Sequence, residues 1–485
     1  MRGFLASSIG VTCAAALVLP LTPPAAAAPA GPALGAEAAM SAGAVAAPAR
    51  RYAGAEPDLP GSTQSLPLTV LPHDRAAGTP APVQQGLPRR DVSLFSLVGV
   101  VWDDPGTELH GRVQVRTRSV DTGTWSGWQD VETHNAEHAP DPDTAERASG
   151  HVRGATAPLW VGESDGVEVR VTPEAAGPRP DENGDDSAVD PTAVTPLPPG
   201  LQLELVDPGE PAPNDPGPRP GSLNPETTSA AGAGTAEALA ASAANAELAP
   251  LGATEIPELG RAETERELLA LRGSELTEAQ QAKPYIGPRP RIVTRRGWGA
   301  DERLREKQFA YTKKVKAAFV HHTASGGKYW CTQAPSLIRG IYRYHVKSMR
   351  WRDLGYNFVI DRCGNIYEGR AGGVAKPVLG AHTLGFNSDS MGIAVLGSYS
   401  STKPTKRALK ALARLTAWKL GLYGVNPRGK TYLKSGGGNL YRKGKNVRLN
   451  AISGHRDGFS TECPGRQLYK RLGTARASAA RYQGR

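Results

Sequence analysis

The sequence predicts an α/β fold: a β-sheet covered by helices, preceded by a small all-β, sandwich-like domain and a disordered linker. Three observations predict it. Beyond residue 285, apolar runs at 315–321, 356–361 and 391–397 interleave with helical patterns at 334–349 and 405–421, the signature of a sheet covered by helices. Residues 91–207 carry short runs alternating with period two, broken by Asp, Gly and Pro clusters, which is a strand-and-turn pattern. Residues 208–284 are rich in Pro, Gly, Ala and Ser without a sustained apolar period, as in a flexible linker.

In chain order, residues 1–28 read as a cleaved export signal: Arg2, an apolar stretch from about 11 to 21, Pro23-Pro24, then four alanines ending at Ala28. The stretch is too short to span a bilayer comfortably, so no membrane span is expected in the mature, secreted protein. Residues 29–90 are Ala-, Pro- and Gly-rich and read as disordered, with a strand near 66–71. In the all-β domain, residues 91–207, strands are expected at 92–102, 113–117, 125–131, 159–161, 167–171 and 201–206. Val113, Val115 and Thr117 share one face, and Gln114, Arg116 and Arg118 face water. Trp102, Trp125, Trp128 and Trp160 either fill the core or stack on sugars; His110, His134, His138 and His151 show no ligand spacing and read as surface residues. In the linker, residues 208–284, only 263–272 reads as a short charged helix, with part of an apolar stripe through Leu268, Leu269 and Leu271. In the last unit, residues 285–485, Leu409, Leu412, Ala413 and Leu415 recur at helical spacing between Pro404 and the stop signals Gly421 and Gly424.

Charge divides the chain. The formal net charge is +10, but residues 285–485 hold 39 basic against 9 acidic residues, +30, leaving −20 for the rest. The two parts are expected to have different partners, and the basic one to be drawn to polyanions such as anionic cell-wall polymers. Export and the lack of an aromatic-rich motif argue against nucleic acid. Of four cysteines, Cys13 falls in the signal and Cys463 in a candidate metal site, which leaves Cys331 and Cys363 to form a disulfide in an oxidising compartment.

The chemistry-bearing residues cluster late. Gly454-His455-Arg456-Asp457-Gly458 and Thr461-Glu462-Cys463-Pro464-Gly465 put an imidazole and a thiol eight residues apart. Upstream, Phe319-Val320-His321-His322-Thr323 ends an apolar strand, where only one of the two histidines can easily face a shared ion. Two imidazoles and one thiolate leave one open position on tetrahedral zinc, the ligand set of a hydrolase. The basic surroundings are expected to favour the Cys463 thiolate, and Asp457 is a candidate partner for a ligand histidine.

Seven motifs in order then resemble one family. They are Arg296-Gly297-Trp298-Gly299-Ala300, residues 318–324 around His321, and Asp353-Leu354-Gly355-Tyr356-Asn357-Phe358-Val359-Ile360. They continue with Gly364-Asn365-Ile366-Tyr367-Glu368-Gly369-Arg370, Gly380-Ala381-His382-Thr383 with Gly385-Phe386-Asn387, Met391-Gly392-Ile393-Ala394, and the stretch from Gly454 to Gly465. The sequence resembles the peptidoglycan recognition protein and zinc amidase family, the type 2 N-acetylmuramoyl-L-alanine amidases, over about residues 290–475. The resemblance implies a central mixed β-sheet flanked by helices, with Zn2+ held by His321, His455 and Cys463 and Tyr356 as the catalytic tyrosine. Thr461 stands where phage-type relatives carry a lysine, and its hydroxyl is a second candidate donor. His382 and Asn387 lie in the segment that lines the family's groove, and Arg370, with Arg339, Arg343 and Trp351, is a further candidate for binding substrate. The implied reaction is hydrolysis of the lactyl-L-alanine amide of peptidoglycan by a secreted, cell-wall-associated monomer. The alternatives are a peptidoglycan-binding module without hydrolysis and a simple polyanion binder.

Overall fold

The computed structural model describes residues 60–72, 83–175, 194–210 and 235–485. The expected signal peptide, most of the segment 29–90 and the linker from 211 to 234 lie outside the described residues.

The first half is built from β1 (Ser62–Pro67), β2 (Thr69–Val70), β3 (Gln85–Trp102), β4 (Gly111–Ser119), β5 (Gln129–Val131), a short helix α1 (Ala145–Ala148), β6 (Gly154–Ala155), β7 (Leu159–Pro173) and β8 (Gln202–Asp207). These strands form one sheet in the order β1-β8-β3-β7-β4-β5, with β2 and β6 also paired to β3. The strand expected near 66–71 is present as β1 and β2, and β3 also begins inside the stretch otherwise read as disordered. Ser62–Pro67 pairs with β8 along its whole length, and that hydrogen-bonded partner was invisible in the local composition. β3 and β7 are long, and their pairing shifts register three times between Leu87 and Leu97; such bulges bend a sheet. It curves around a core containing Val98, Val100, Val113, Val115, Val169, Leu203 and Leu205.

Alternation along β3 sends Leu97 and Val101 to the opposite face. There they meet Trp298, Ile341, Tyr342 and Tyr344 of the second half, together with Trp160 and Val206. Gly99 lies between them, where a Cβ would come 2.3 Å from the Tyr344 hydroxyl. A residue with no side chain is what lets that ring lie on the strand. The same junction is held by Trp160 N to Ser325 O (3.2 Å) and Arg153 N to Met349 O (3.1 Å), and by Ser348 Oγ to Glu204 Oε2 (2.8 Å). Trp102 and Trp160 are thus buried. Trp125 lies under Arg89 (5.0 Å), and Trp128 under Arg116 and Arg170 (4.8 and 4.2 Å).

The second half begins earlier than the composition indicated. The short helix expected at 263–272 is present as α3 (Arg261–Arg272), while α2 (Ala236–Ala243), β9 (Glu255–Ile256) and α4 (Glu278–Ala282) replace the rest of the flexible linker expected over 235–284. Leu248, Ile256 and Leu268 are buried in the main core, and Asn245 bridges the Glu368 carboxylate (2.9 Å) and Val374 N (2.8 Å). These anchors lie too far apart in sequence to produce a visible period, yet each is buried by distant residues. There follow β10 (Ile292–Val293), β11 (Ala317–His322), α5 (Ala334–Arg343), β12 (Phe358–Ile360), β13 (Ile366–Glu368), β14 (Ser390–Val395), α6 (Lys406–Gly421), β15 (Lys430–Lys434), β16 (Asn446–Asn450), β17 (Ile452–Gly454), α7 (Arg466–Tyr469) and α8 (Leu472–Gln483). The sheet runs β17-β11-β14-β12-β13-β10-β9. It is parallel from β17 to β12 and mixed beyond. β15 and β16 form a separate hairpin.

Local chemistry explains the main elements. Thr405 caps α6 by accepting from Ala408 N (3.1 Å). The helix expected over 334–349 is α-helical only to Arg343 and continues as a π turn, Tyr344–Ser348, closed by Met349 N to Tyr344 O (2.9 Å). Cys331 and Cys363 are joined by a disulfide. No helix among the described residues is long and apolar enough to cross a membrane.

Candidate metal centre

β11 is buried at every position. Its alternation divides the strand: Ala318 and Val320 enter the core beneath α6 and α8, while Ala317 and Phe319 pack with Phe386 and the β15–β16 hairpin. His321 continues the second face and reaches the cleft above the hairpin. His322 turns the other way and accepts from Tyr399 N (3.3 Å). The neighbouring parallel strand β17 ends at Gly454, where a 3-10 turn starts with His455. Asp457 caps that turn, accepting from Gly454 N (2.9 Å) and from the Tyr469 hydroxyl (2.5 Å), so it holds the backbone and not the imidazole of His455. Cys463 is anchored by Arg456 N to Cys463 O (3.0 Å) and by Cys463 N to Thr461 Oγ1 (3.1 Å).

The structure brings His321, His455 and Cys463 together, and it adds a fourth residue. His138, from the segment joining β5 to α1, points into the same cluster, and one ligand atom from each residue lies within 4.8 Å of all the others. His321 Nδ1 is 3.1 Å from His455 Nδ1 and 3.3 Å from His138 Nε2. The Cys463 sulfur is 3.7 Å from His138 Nε2 and 3.8 Å from His321 Nδ1. A tetrahedral zinc ion bound at about 2.0–2.1 Å to nitrogen and 2.3 Å to sulfur needs N···N edges of about 3.3 Å and N···S edges of about 3.6 Å. The donor set and its spacing fit such an ion.

The cluster is buried, and that sets its protonation. Burial drives the His138 imidazole down to about 3, and His321 and His455 well below the usual histidine range. Neutral imidazoles keep a lone pair for a cation. Burial pushes the Cys463 thiol up, and the Glu137 and Glu132 carboxylates push the same way. The expectation that basic surroundings would favour the thiolate is therefore overturned: the net charge of a domain is not the field at one atom. A cation at the common centre is what would draw the proton off.

Tyr356 stands against the cluster, its ring centroid 5.5 Å from that of His321 and 5.9 Å from that of His138. Burial holds its phenol well above the ordinary range, so it remains an O–H donor. The Thr461 hydroxyl donates to Glu137 (2.5 Å) as well as receiving the Cys463 amide. Thr383 is a contributor that the sequence did not single out: its hydroxyl lies 3.4 Å from His321 Nε2 and 3.0 Å from His382 Nδ1.

The candidate substrate residues fare differently. His382 is fully buried, with Thr383 on one ring nitrogen and Ser390 Oγ 3.4 Å from the other, so it braces the cleft wall. Asn387 accepts from the amides of His382 (2.6 Å) and Thr383 (3.0 Å), and donates to Ala139 O (2.9 Å) and Asp141 (2.7 Å). Arg370 forms a two-pronged pair with Glu146 (2.8 and 2.9 Å). Arg339 and Arg343 bind the backbone at Gly209 (3.0 Å) and Pro60 (2.6 Å), far from the cluster in role, and Trp351 is core. His138, read as a surface residue, is only 7% exposed. The one hint in its sequence is the density of acidic residues around it, Glu132, Glu137, Asp141, Asp143 and Glu146, in a chain whose other half is strongly basic.

A mixed sheet whose parallel strands β11 and β17 lead to His321 and His455, with Cys463 on the loop that follows, defines an α/β protein with a buried donor cluster of zinc-compatible spacing. Comparison with known proteins gives the family. Residues 311–466 match the family described as N-acetylmuramoyl-L-alanine amidase, and residues 48–194 match one described as Rv3811 N-terminal galactose-binding domain-like. Peptidoglycan-recognition protein SC2 of Drosophila simulans is 35% identical over 185 residues, 38% of this chain and 85% of that protein. A human N-acetylmuramoyl-L-alanine amidase is 32% identical over 205 residues, 41% of this chain and 30% of that protein. Among solved structures, wild-type Drosophila PGRP-LB is 26% identical with a TM-score of 0.30, covering 38% of this chain and 92% of that one. The chain belongs to the family of peptidoglycan-recognition proteins and N-acetylmuramoyl-L-alanine amidases.

Proposed function

We propose that the protein is an exported, zinc-dependent N-acetylmuramoyl-L-alanine amidase that cleaves the lactyl-L-alanine amide of peptidoglycan. The observation that carries this reading is the convergence of His321, His455 and Cys463 at tetrahedral spacing beside Tyr356. Zinc, when bound, polarises the scissile carbonyl and makes water nucleophilic near neutral pH. Water adds across the amide, the C–N bond breaks, and the stem peptide leaves with a free amino-terminal alanine.

The residues divide the remaining work. Tyr356 donates its phenolic hydrogen to the developing oxyanion, a contact worth about 2.7–4 kcal/mol in comparable sites. Thr461 fixes the Cys463 amide and offers its hydroxyl to substrate when Glu137 is absent. Thr383 orients His321, as a hydrogen-bonding neighbour of a ligand imidazole does. Arg370 and Asn387 present donors to the carboxylates and carbonyls of a stem peptide. The leader at 1–28 and the Cys331–Cys363 disulfide support export, and the basic surface suits a polyanionic wall. We expect a monomer.

A peptidoglycan-binding module without hydrolysis is the competing reading, and the presence of Cys463 and Tyr356 favours catalysis over it. The test is mass spectrometry of muropeptides treated with zinc-loaded and chelator-treated protein, alongside metal analysis. Zinc-dependent release of peptides with amino-terminal alanine is expected, and Cys463→Ser should lose both metal and product. Bound zinc with no such product from either the full chain or its His138→Ala form selects the binding module.

A further inference from the structure

Five consecutive residues of the first half, Glu137 to Asp141, are buried, and what buries them is the cleft of the second half. The contacts follow one chemical rule. On the cleft side the groups are donors: Leu384 N, Gly385 N, Asn387 Nδ2, the Thr461 hydroxyl and the Arg370 guanidinium. On the segment side all are acceptors. Glu137 O receives Leu384 N (2.9 Å), and the Glu137 carboxylate receives Thr461 (2.5 Å). Ala139 O receives Asn387 (2.9 Å). Asp141 receives Gly385 N and Asn387 (both 2.7 Å). Glu146 receives Arg370 (2.8 and 2.9 Å) and Arg352 N (3.0 Å). A strip of peptide carbonyls and carboxylates is also what a stem peptide would present to those donors.

At the centre of the strip, His138 Nε2 stands at ligand spacing from His321 and Cys463. The space left beside the cluster, lined by Glu132, His138, Thr323, Thr461 and Cys463, is about 10 Å³, about enough for one water molecule and far too small for a glycopeptide. The segment is carried there by the sheet of the first half, which packs on the second. β3 and β8 are clamped to α5 and its π turn through Leu97, Val101, Val206 and Tyr344.

We propose that residues 135–146 are a built-in occupant of the substrate cleft, with His138 as the fourth ligand of the metal, so that the chain is held latent until the segment is displaced. The inference rests on the amidase reading above. Removing the segment clears four things at once: the fourth coordination position, the Thr461 hydroxyl, the Asn387 amide and the Arg370 guanidinium. The acidic half of the chain thus supplies a competitor for the site that the basic half forms.

The test uses cobalt-substituted full chain, azide as a probe of an open coordination position, and muropeptide turnover. It compares wild type, His138→Ala and Glu146→Gln, the last of which keeps the histidine and removes only the counter-charge of Arg370. The wild-type visible spectrum should be unmoved by azide, both variants should respond, and both should turn over at least about tenfold faster than wild type. An azide response in wild type equal to that of His138→Ala overturns the proposal, as does unchanged turnover in both variants of an active wild type. A response confined to the variants, with no cleavage by any form, keeps His138 as ligand and removes the amidase reading instead.

Discussion

The pair Arg370–Glu146 gives the sharpest way to perturb the arrangement without touching the metal cluster. Both side chains are about nine-tenths buried or more, at 6% and 5% exposure. Burial alone would lower the Arg370 pKa, but Glu146 outweighs it and holds the guanidinium above its ordinary value. In Glu146→Gln the charge stays and the counter-charge goes. Arg370 would keep carbonyl partners such as Leu354 O (2.8 Å) and, as counter-charge, only the weaker field of the Asp353 carboxylate. Leaving one member of a buried pair uncompensated costs about 3–5 kcal/mol. That cost applies only while residues 135–146 are docked, because lifting the segment returns Arg370 to water. The docked-to-open ratio should therefore fall by roughly 10²–10³·⁵, at about 1.4 kcal/mol per factor of ten. Hydrogen exchange read by mass spectrometry on peptides spanning 135–146 reports that ratio directly, with β3 peptides as an internal reference. Protection should drop in the segment and hold in β3. An equal loss in both, or none in the segment, would refute the reasoning, since the pair would then belong to the global fold and not to a separable closure.

Three further outcomes follow from the same geometry. Tyr356→Phe should lower turnover by about 10²–10³ with metal content unchanged; activity within twofold of the parent would remove Tyr356 from the reaction. Gly99→Ala places a Cβ 2.3 Å from the Tyr344 hydroxyl, and forcing that junction apart should lower stability by about 1–3 kcal/mol, measured as a shift in denaturant midpoint, while exposing residues 132–153 to protease. Reducing the Cys331–Cys363 bridge, which closes a loop of 32 residues, should lower unfolding free energy by about 3–4 kcal/mol on the loop-entropy argument, seen by denaturation with and without reductant.

The sequence marked those residues of the candidate site that carry a local pattern of their own. His321 ends an apolar strand, and His455 and Cys463 share one loop, so their local patterns mark them. The α6 helix and the β11 and β14 strands were legible for the same reason: a period of 3.6 or an unbroken apolar run needs no knowledge of the partner. His138 carries no such mark. It sits in a stretch without periodicity, and its partner His321 is 183 residues away. Only the docking of Leu97 and Val101 on α5 fixes where it points. Outside the helix at 263–272, the stretch 235–284 was misread for a related reason: Asn245 and Ile256 are isolated anchors in Ala-rich and charged sequence, and each is recognisable only from the far side of its contact. Asp457 was misassigned because a carboxylate two residues from a ligand can cap a backbone turn as readily as it can reach an imidazole.

The charge asymmetry acquires a different meaning once the contacts are known. A half at +30 and a remainder at −20 read as two bodies with separate partners, yet part of each charge is spent on the other. Glu146 faces Arg370, Asp143 faces Lys443 at 2.8 Å, Glu258 faces Arg414 at 3.0 Å and Glu255 faces Arg291 at 2.7 Å. The pairs at Arg414 and Arg291 are exposed and individually weak. They belong to the 235–284 stretch, which is part of the second half. Only the pair at Arg370 is buried; that at Lys443 is as exposed as the others, but its acid, like Glu146, lies between β5 and β6 and would leave together with His138. Under the closure proposed above, lifting one acidic segment uncovers Arg370 and leaves the exposed Lys443 without its carboxylate, in the same movement that frees the fourth ligand position. An anionic wall polymer then competes with the segment for those cations, so attraction to substrate and exposure of the metal are coupled through the same few carboxylates.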